Sequence, residues 1–160
     1  MKFFKPNYQF EHFSDISILF LQQHNIQFIF SDLDSTLAAH DQLGDDKFVQ
    51  WYNELKNHHI KVIIVSNNNQ QRVDRFTKQY DMLGYGKVNK PTTKKIEAIM
   101  KELGATSSNS IFLGDQLLTD VWCGKRLNMM TILVDAIGPE HEPWNVRLKR
   151  SFEEIAKKRW

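Results

Sequence analysis

Four short polar clusters in this 160-residue chain combine residue types that can act on a phosphoryl group. Asp32-Leu33-Asp34-Ser35-Thr36 sets two carboxylates two positions apart where an apolar run ends. Such a pair can face one centre from different angles, one as nucleophile and the other as proton donor. An ordinary acidic turn has the same composition. Ser66-Asn67-Asn68 offers a hydroxyl and side-chain amides that could donate to phosphoryl oxygens, or could cap the helix that follows. Lys90, just ahead of Pro91, is a point cation able to neutralise phosphate, or else a solvated surface lysine. Gly114-Asp115, with Asp120 five positions on, supplies hard oxygen ligands of the kind Mg²⁺ takes beside phosphate, although Asp120 also suits a helix N-terminus.

All four clusters stand beside segments with a repeated grammar. Gln27-Phe28-Ile29-Phe30-Ser31, Ile60 to Val65, Ser110 to Leu113 and Thr131 to Val134 are short apolar runs, rich in β-branched or aromatic residues, that end in polar ones. A thinner run at Tyr85–Asn89 is a candidate for one more strand. Between the runs lie helix-like segments at Asp46–Asn57, Asn69–Gln79, Thr92–Leu103 with Gly104 as stop signal, and Asp120–Asn128. Strands alternating with helices predict an α/β fold, a single Rossmann-like domain over residues 1–160 with a parallel sheet and helices on both faces. In such sheets ligands sit beyond the carboxyl ends of the strands, which is where the polar clusters fall.

Composition narrows the class further. Forty-one per cent of residues are hydrophobic and 25% charged, and Gly and Pro are few, which excludes a disordered or collagen-like chain. Twenty-one Lys and Arg against nineteen Asp and Glu leave a net charge of +2, too balanced to call for nucleic acid. Residues 1–140 hold 15 basic and 16 acidic residues, and residues 141–160 hold six and three, so the excess is a basic C-terminal segment. Cys123 stands alone, which excludes an internal disulfide or a thiolate zinc site and points to core packing in a reducing, cytoplasmic setting. Seven of the eleven phenylalanines lie within the first thirty residues, in an aromatic lead over residues 1–26 and the strand after it. No apolar run approaches the roughly 20 residues that a membrane span needs, and no h-region follows the first lysines.

The clusters, in the order Asp-x-Asp-x-Thr, Ser-Asn-Asn, Lys-Pro and Gly-Asp-x-x-x-x-Asp, resemble the haloacid dehalogenase superfamily of phosphatases over about residues 27–135. The resemblance implies that Asp32 is the nucleophile that takes the phosphoryl group, Asp34 the acid and later the base, and Thr36 a residue that orients the loop. It implies that Ser66 and Asn67 hold phosphoryl oxygens and that Lys90 steadies the nucleophile and intermediate. Mg²⁺ would be held by the Asp32 carboxylate, the Asp34 carbonyl and Asp115, with Asp120 ligating or just behind. Ser35 stands where the family often has Gly or Asn, and as a small residue it should suit the turn.

Thr36 to Ser66 and Asn68 to Lys90 are too short to insert a cap domain, so the site is expected to be open. Lys5-Pro6-Asn7, Phe30 to Leu37 and Gly114-Asp115-Gln116-Leu117-Leu118-Thr119-Asp120 are similar to the bacterial phosphatidylglycerophosphate phosphatases of subfamily IIIA. That resemblance implies a phospholipid headgroup as substrate and peripheral contact with the inner face of the cell membrane. Phe3, Phe4, Tyr8, Phe10 and Phe13 would meet the bilayer interface, and Arg147, Lys149, Arg150, Lys157, Lys158 and Arg159 the anionic lipid. In the contrary reading the aromatics cover the sheet and the tail is a solvated helix. A soluble phosphatase for a sugar phosphate or nucleotide is the alternative within the fold. A receiver-like phospho-signalling module is the alternative outside it, disfavoured because Lys90 precedes the second acidic cluster. His40, His58, His59 and His141 are further proton-donor candidates that Asp34 makes unnecessary.

Overall fold

The computed structural model describes residues 4–139 and 144–158, except for the side chains of 144–149 and 151, so Phe3, His141, Arg159 and the side chains of Arg147 and Lys149 lie outside the described residues. Six strands form one parallel sheet: β1 Tyr8–Phe10, β2 Phe28–Ser31, β3 Lys61–Val65, β4 Leu83–Tyr85, β5 Ser110–Gly114 and β6 Met130–Val134. The spatial order is β1-β6-β5-β2-β3-β4. The chain builds outward from β2 through β3 to β4, crosses back to β5, and continues outward through β6. The order therefore reverses beside β2, and the crevice between the C-terminal ends of β2 and β5 is where such a sheet offers a ligand site.

Both faces are covered. The main helices are α1 Ile18–Gln23, α2 Asp46–Asn57, α3 Gln70–Tyr80, α4 Lys94–Leu103, α5 Trp122–Arg126 and α6 Trp144–Lys157. Strand side chains alternate between the faces. Ile29, Val62, Ile64, Ile111 and Ile132 pack against Leu21, Phe48, Trp51, Leu55, Val73 and Phe76 from α1 to α3. Phe28, Phe30, Ile63, Val65 and Phe112 pack against Ile96, Ile99, Cys123 and Leu127 from α4, α5 and the turn after it. The two clusters are the two sides of a doubly covered parallel sheet, and each strand reads as continuously apolar because neither side meets water. Cys123 is wholly buried, and burial pushes its thiol up to about 12, as fits a core residue.

Residues 37–60 hold only α2, and residues 66–89 hold only α3 and β4, so neither interval contains a cap domain. The fourth strand is Leu83–Tyr85 and shares only Tyr85 with the run expected over 85–89, because Ile63, Ile64 and Val65 pair with Leu83, Gly84 and Tyr85 and the chain then leaves the sheet. The segment expected as one helix over 120–128 is a π-helical turn, Leu117–Val121, that leads into α5.

The aromatic lead is mostly structural. β1 adds a sixth strand by pairing with Ile132–Val134. Phe13 is fully buried between Phe48 and Trp51, Phe10 packs edge-on to Phe20, and Phe4 packs edge-on to Trp122. Tyr8, 37% exposed, leans on Phe20 and His24. These rings cover the sheet edge, while Leu19 in the same lead stays 64% exposed. Asn7 fastens this edge strand, its Oδ1 accepting from Thr131 N at 2.9 Å, Thr131 Oγ1 at 3.1 Å and Lys125 Nζ at 3.1 Å. Asn7→Ala would strand donors on the fully buried Thr131, and we expect urea unfolding to show a loss of roughly 1–3 kcal/mol.

Candidate active site

Three of the four polar clusters begin where a strand stops. Asp32 follows β2, and its amide still donates to the Leu113 carbonyl of β5 at 3.0 Å, so its position is a continuation of the ladder. Ser35, three residues on, turns the chain at φ 68°, a left-handed conformation that Gly and Asn adopt more readily than Ser. Ser66 follows β3 and is 2% exposed, and Asp115 follows β5 at the same level of burial. The loop after β4 carries Lys90, 5% exposed, in towards the carboxylates.

Lys90 is the hub. Its Nζ lies 3.0 Å from Asp32 Oδ1 and 2.8 Å from Asp120 Oδ1. Burial alone would lower its pKa, but Asp120 and Asp32 outweigh burial and raise it, so Lys90 stays charged. The other Asp120 oxygen, Oδ2, accepts from the amides of Asp115 at 3.2 Å and Gln116 at 3.1 Å. Gly114 makes this possible, because any Cβ there would overlap the Asp120 side chain. Thr36, fully buried, donates from Oγ1 to Asp115 Oδ1 at 2.6 Å, which ties the first cluster to the fourth.

The Ser-Asn-Asn cluster divides its labour. The Asn67 side chain grips the Lys90 main chain from both sides, Nδ2 donating to the carbonyl at 3.0 Å and Oδ1 accepting from the amide at 2.7 Å. Asn68 Nδ2 donates to Asp34 Oδ2 at 3.0 Å. Asn69, the next residue, caps α3 by accepting from Arg72 N at 2.8 Å. Ser66 Oγ accepts from Asn68 N at 3.0 Å, which leaves the hydroxyl hydrogen to point elsewhere.

Three residues that the sequence reading did not place at the site belong to it. Arg72 meets Asp34 Oδ1 through Nε at 3.0 Å and Nη2 at 2.9 Å. A sequence signal existed: an arginine beside Val73 and four positions before Phe76 falls on the apolar side of α3, where a cation needs a partner. Arg150 of α6, read from the sequence as part of a lipid-facing basic surface, turns inward and pairs with Asp115 through its carboxylate Oδ2 and its carbonyl. Glu153, one turn along α6 and 3% exposed, accepts from Leu118 N at 3.1 Å at the start of the π-helical turn. The basic composition of residues 141–160 concealed both. Among the described histidines, His40 alone stands near the pair, its Nδ1 3.9 Å from Asp34 Oδ1.

Burial sets the electrostatics. It pushes Asp32 up to about 6 against the pull of Lys90, and Asp115 up to about 6 against that of Arg150. Asp120 is raised for the same reason, again opposed by Lys90. Burial also works on Asp34, but donors from Asn68, the Asp41 amide and Arg72 overcome it and hold Asp34 below the usual range. One oxygen from each of Asp32, Asp115 and Asp120 falls within a sphere where all lie within 4.8 Å of one another. An all-oxygen carboxylate set, crowded and buried, is a donor set that fits a hard divalent cation.

The sequence matches the model of the haloacid dehalogenase-like hydrolases over residues 22–134, which includes every cluster described above. The chain belongs to the haloacid dehalogenase-like hydrolases. Within that family it is 36% identical over 134 residues to the probable phosphatase YqeG of Bacillus subtilis, an alignment covering 83% of this chain and 78% of that protein. It is 38% identical over 64 residues to the chloroplastic/mitochondrial phosphatidylglycerophosphate phosphatase 1 of Arabidopsis thaliana, but this covers 40% of the chain and 18% of that protein. Among solved structures, the cobalt-bound deoxy-D-mannose-octulosonate 8-phosphate phosphatase (YrbI) of Haemophilus influenzae shares the fold at a TM-score of 0.52 and 18% identity, over 74% of this chain and 83% of that one.

Because burial raises Asp32, Asp115 and Glu153 above their unfolded values, their contribution to stability is complete below about pH 4 and is lost as pH climbs through 6 to 7. The melting temperature of the metal-free hydrolase should therefore fall between pH 5 and pH 8. Glu153 is raised from 4.5 to about 7 mainly by burial, with Asp120 adding to it against the Leu118 amide. Glu153→Gln keeps an acceptor for that amide and removes the charge, so it should flatten part of the fall and stabilise by about 1–3 kcal/mol at pH 8. Melting curves of both proteins in chelator across that range provide the check.

Proposed function

We propose that this chain is a Mg²⁺-dependent phosphomonoesterase that works through an aspartyl-phosphate on Asp32, and that phosphatidylglycerophosphate is its substrate. The observation that carries the reading is Lys90 Nζ bridging Asp32 and Asp120 at 3.0 and 2.8 Å, a fixed cation beside a buried carboxylate at the point where strand order reverses. A carboxylate meets an anionic phosphate only where positive charge surrounds both, and Lys90 provides part of it. Mg²⁺ would be held by the Asp32 and Asp115 carboxylates and the Asp34 carbonyl, with Asp120 beside them, and it would supply charge neutralisation at the phosphoryl oxygens.

Asp32 attacks phosphorus as the ester P–O bond breaks, and the leaving oxygen takes its proton from Asp34. An anionic phosphate brought alongside raises the pKa of Asp34, which makes the proton available at that moment. Water then attacks the acyl phosphate, Asp34 takes the water's proton, and phosphate departs with Asp32 restored. The Ser66 hydroxyl and the second amide hydrogen of Asn67 are the donors for phosphoryl oxygens, and Thr36 holds Asp115 in place.

The lipid half of the proposal draws on the 64-residue likeness to the plant phosphatidylglycerophosphate phosphatase and on α6, where Phe152 and Ile155 are 64% and 54% exposed beside Lys157 and Lys158. No helix among the described residues is long and apolar enough to cross a membrane, so the contact proposed is peripheral. The chain acts as a single unit without a cap, and the open site admits a headgroup presented at a surface. Family membership across residues 22–134 displaces the receiver-like alternative.

Purified protein with Mg²⁺ should release phosphate from phosphatidylglycerophosphate in preference to sugar phosphates and nucleotides. Preference for a soluble ester would replace the lipid assignment while keeping the phosphatase. Asp32→Asn should reduce turnover at least about 10³-fold, and full activity in that variant would refute the nucleophile. Flotation with anionic vesicles at low salt, compared with neutral ones, tests the membrane contact, and no co-flotation would sink it.

A further inference from the structure

Arg72 has no part in the steps above, yet it determines where the Asp34 carboxylate stands. Its side chain is 3% exposed at the first turn of α3. Nε and Nη2 both reach Asp34 Oδ1, at 3.0 and 2.9 Å, and Nη2 also donates to the Gln42 carbonyl at 2.7 Å. Nη1 is buried with no hydrogen-bond partner among the described residues. A guanidinium out of water, with one nitrogen unsatisfied, is not placed to satisfy its own donors. Its fixed contacts go to Asp34 and to the loop that follows the Asp-x-Asp turn.

The same carboxylate is braced elsewhere by Asn68 Nδ2 on Oδ2 at 3.0 Å and by the Asp41 amide on Oδ1 at 2.9 Å. Arg72 is itself anchored, because the Asn69 cap accepts from its amide at 2.8 Å and the side chain lies over the Phe76 ring at 5.9 Å. Order passes in one direction: cap to Arg72, Arg72 to Asp34. An aspartate on a loop would otherwise share its time among several rotamers. Two nitrogens of one planar fork converging on one oxygen select among them, and a lysine ammonium could not reproduce that geometry.

We propose that Arg72 is a positioning residue for proton transfer: it sets the orientation from which Asp34 serves the leaving oxygen. The inference rests on the phosphomonoesterase reading and deepens it. Loss of this contact leaves phosphoryl transfer to Asp32 possible and weakens protonation of the leaving group. The penalty therefore depends on the ester. An alkyl phosphate leaves as a strongly basic alkoxide and needs the proton, whereas p-nitrophenolate departs without it.

The test compares kcat/KM for an alkyl phosphomonoester and for p-nitrophenyl phosphate, since kcat/KM reports events up to leaving-group departure. In Arg72→Gln the alkyl-to-aryl ratio should fall roughly tenfold or more, a part of the about 10²–10⁴ that general acid catalysis contributes. Arg72→Lys, which keeps the charge and most of the packing, should lie between the two and covers the case in which Gln does not fold, as melting curves will show. In an Asp34→Asn background the same substitutions should leave the ratio unchanged, because a residue that acts through Asp34 has nothing left to act on. Equal losses on both esters in an otherwise active enzyme, or an equal further loss in the Asp34→Asn background, would overturn the positioning role alone. A wild-type chain that hydrolyses neither ester would overturn the phosphatase reading and this inference with it.

Discussion

Three buried carboxylates within reach of one another repel, and each has lost its water. The rest of the site follows from how this chain makes that arrangement tolerable. Lys90 is the main answer, and much of the local structure serves to hold it. Its side chain comes from the loop after β4, its backbone is gripped by Asn67 at the end of β3, and its charge lands on Asp32 beyond β2 and Asp120 beyond β5. A buried ion pair is costly to form and more costly to break on one side. Three strand ends are thereby locked into one register by a single ammonium group, and the site is as stable as that lock.

The charge count around the hub stays unbalanced. Asp32, Asp34, Asp115 and Asp120 face Lys90, Arg72 and Arg150, four negative groups against three positive ones. One divalent cation would turn the sum to +1, a field suited to receiving a phosphate dianion. Arg150 contacts one of the carboxylates such a cation would use, so the C-terminal helix and the metal site share a residue in Asp115.

The sequence made the core of this legible because its signals are local. An apolar run that stops at a carboxylate shows both a strand and what lies at its tip, and Asp32, Ser66 and Asp115 all obey that rule. Helices α2 and α4 begin and end within two residues of their expected bounds, since Asp45 and Gly104 supply the cap chemistry. What remained hidden depends on distant partners. β1 is three residues long and becomes a strand only by borrowing hydrogen bonds from β6, more than 120 positions away. Nothing local in the sequence shows that Asn67 also grips the Lys90 main chain, 23 positions away. Arg150 read as surface charge because no local pattern marks a cation whose partner lies across the fold, whereas the signal for Arg72 was its place on the apolar side of α3.

The C-terminal segment shows how composition can mislead and phase correct it. Six basic residues in twenty suggest a uniformly solvated tail. On α6, however, Arg150, Glu153 and Ala156 recur every third position and turn inward, to Asp115, to the Leu118 amide and to Leu117 with Val121 and Leu133. Phe152 and Ile155, also three apart, point to solvent. The helix thus has one face packed on the Asp115–Leu118 segment and apolar side chains exposed on the other. On the lipid reading, surface and site are then linked by rigid geometry.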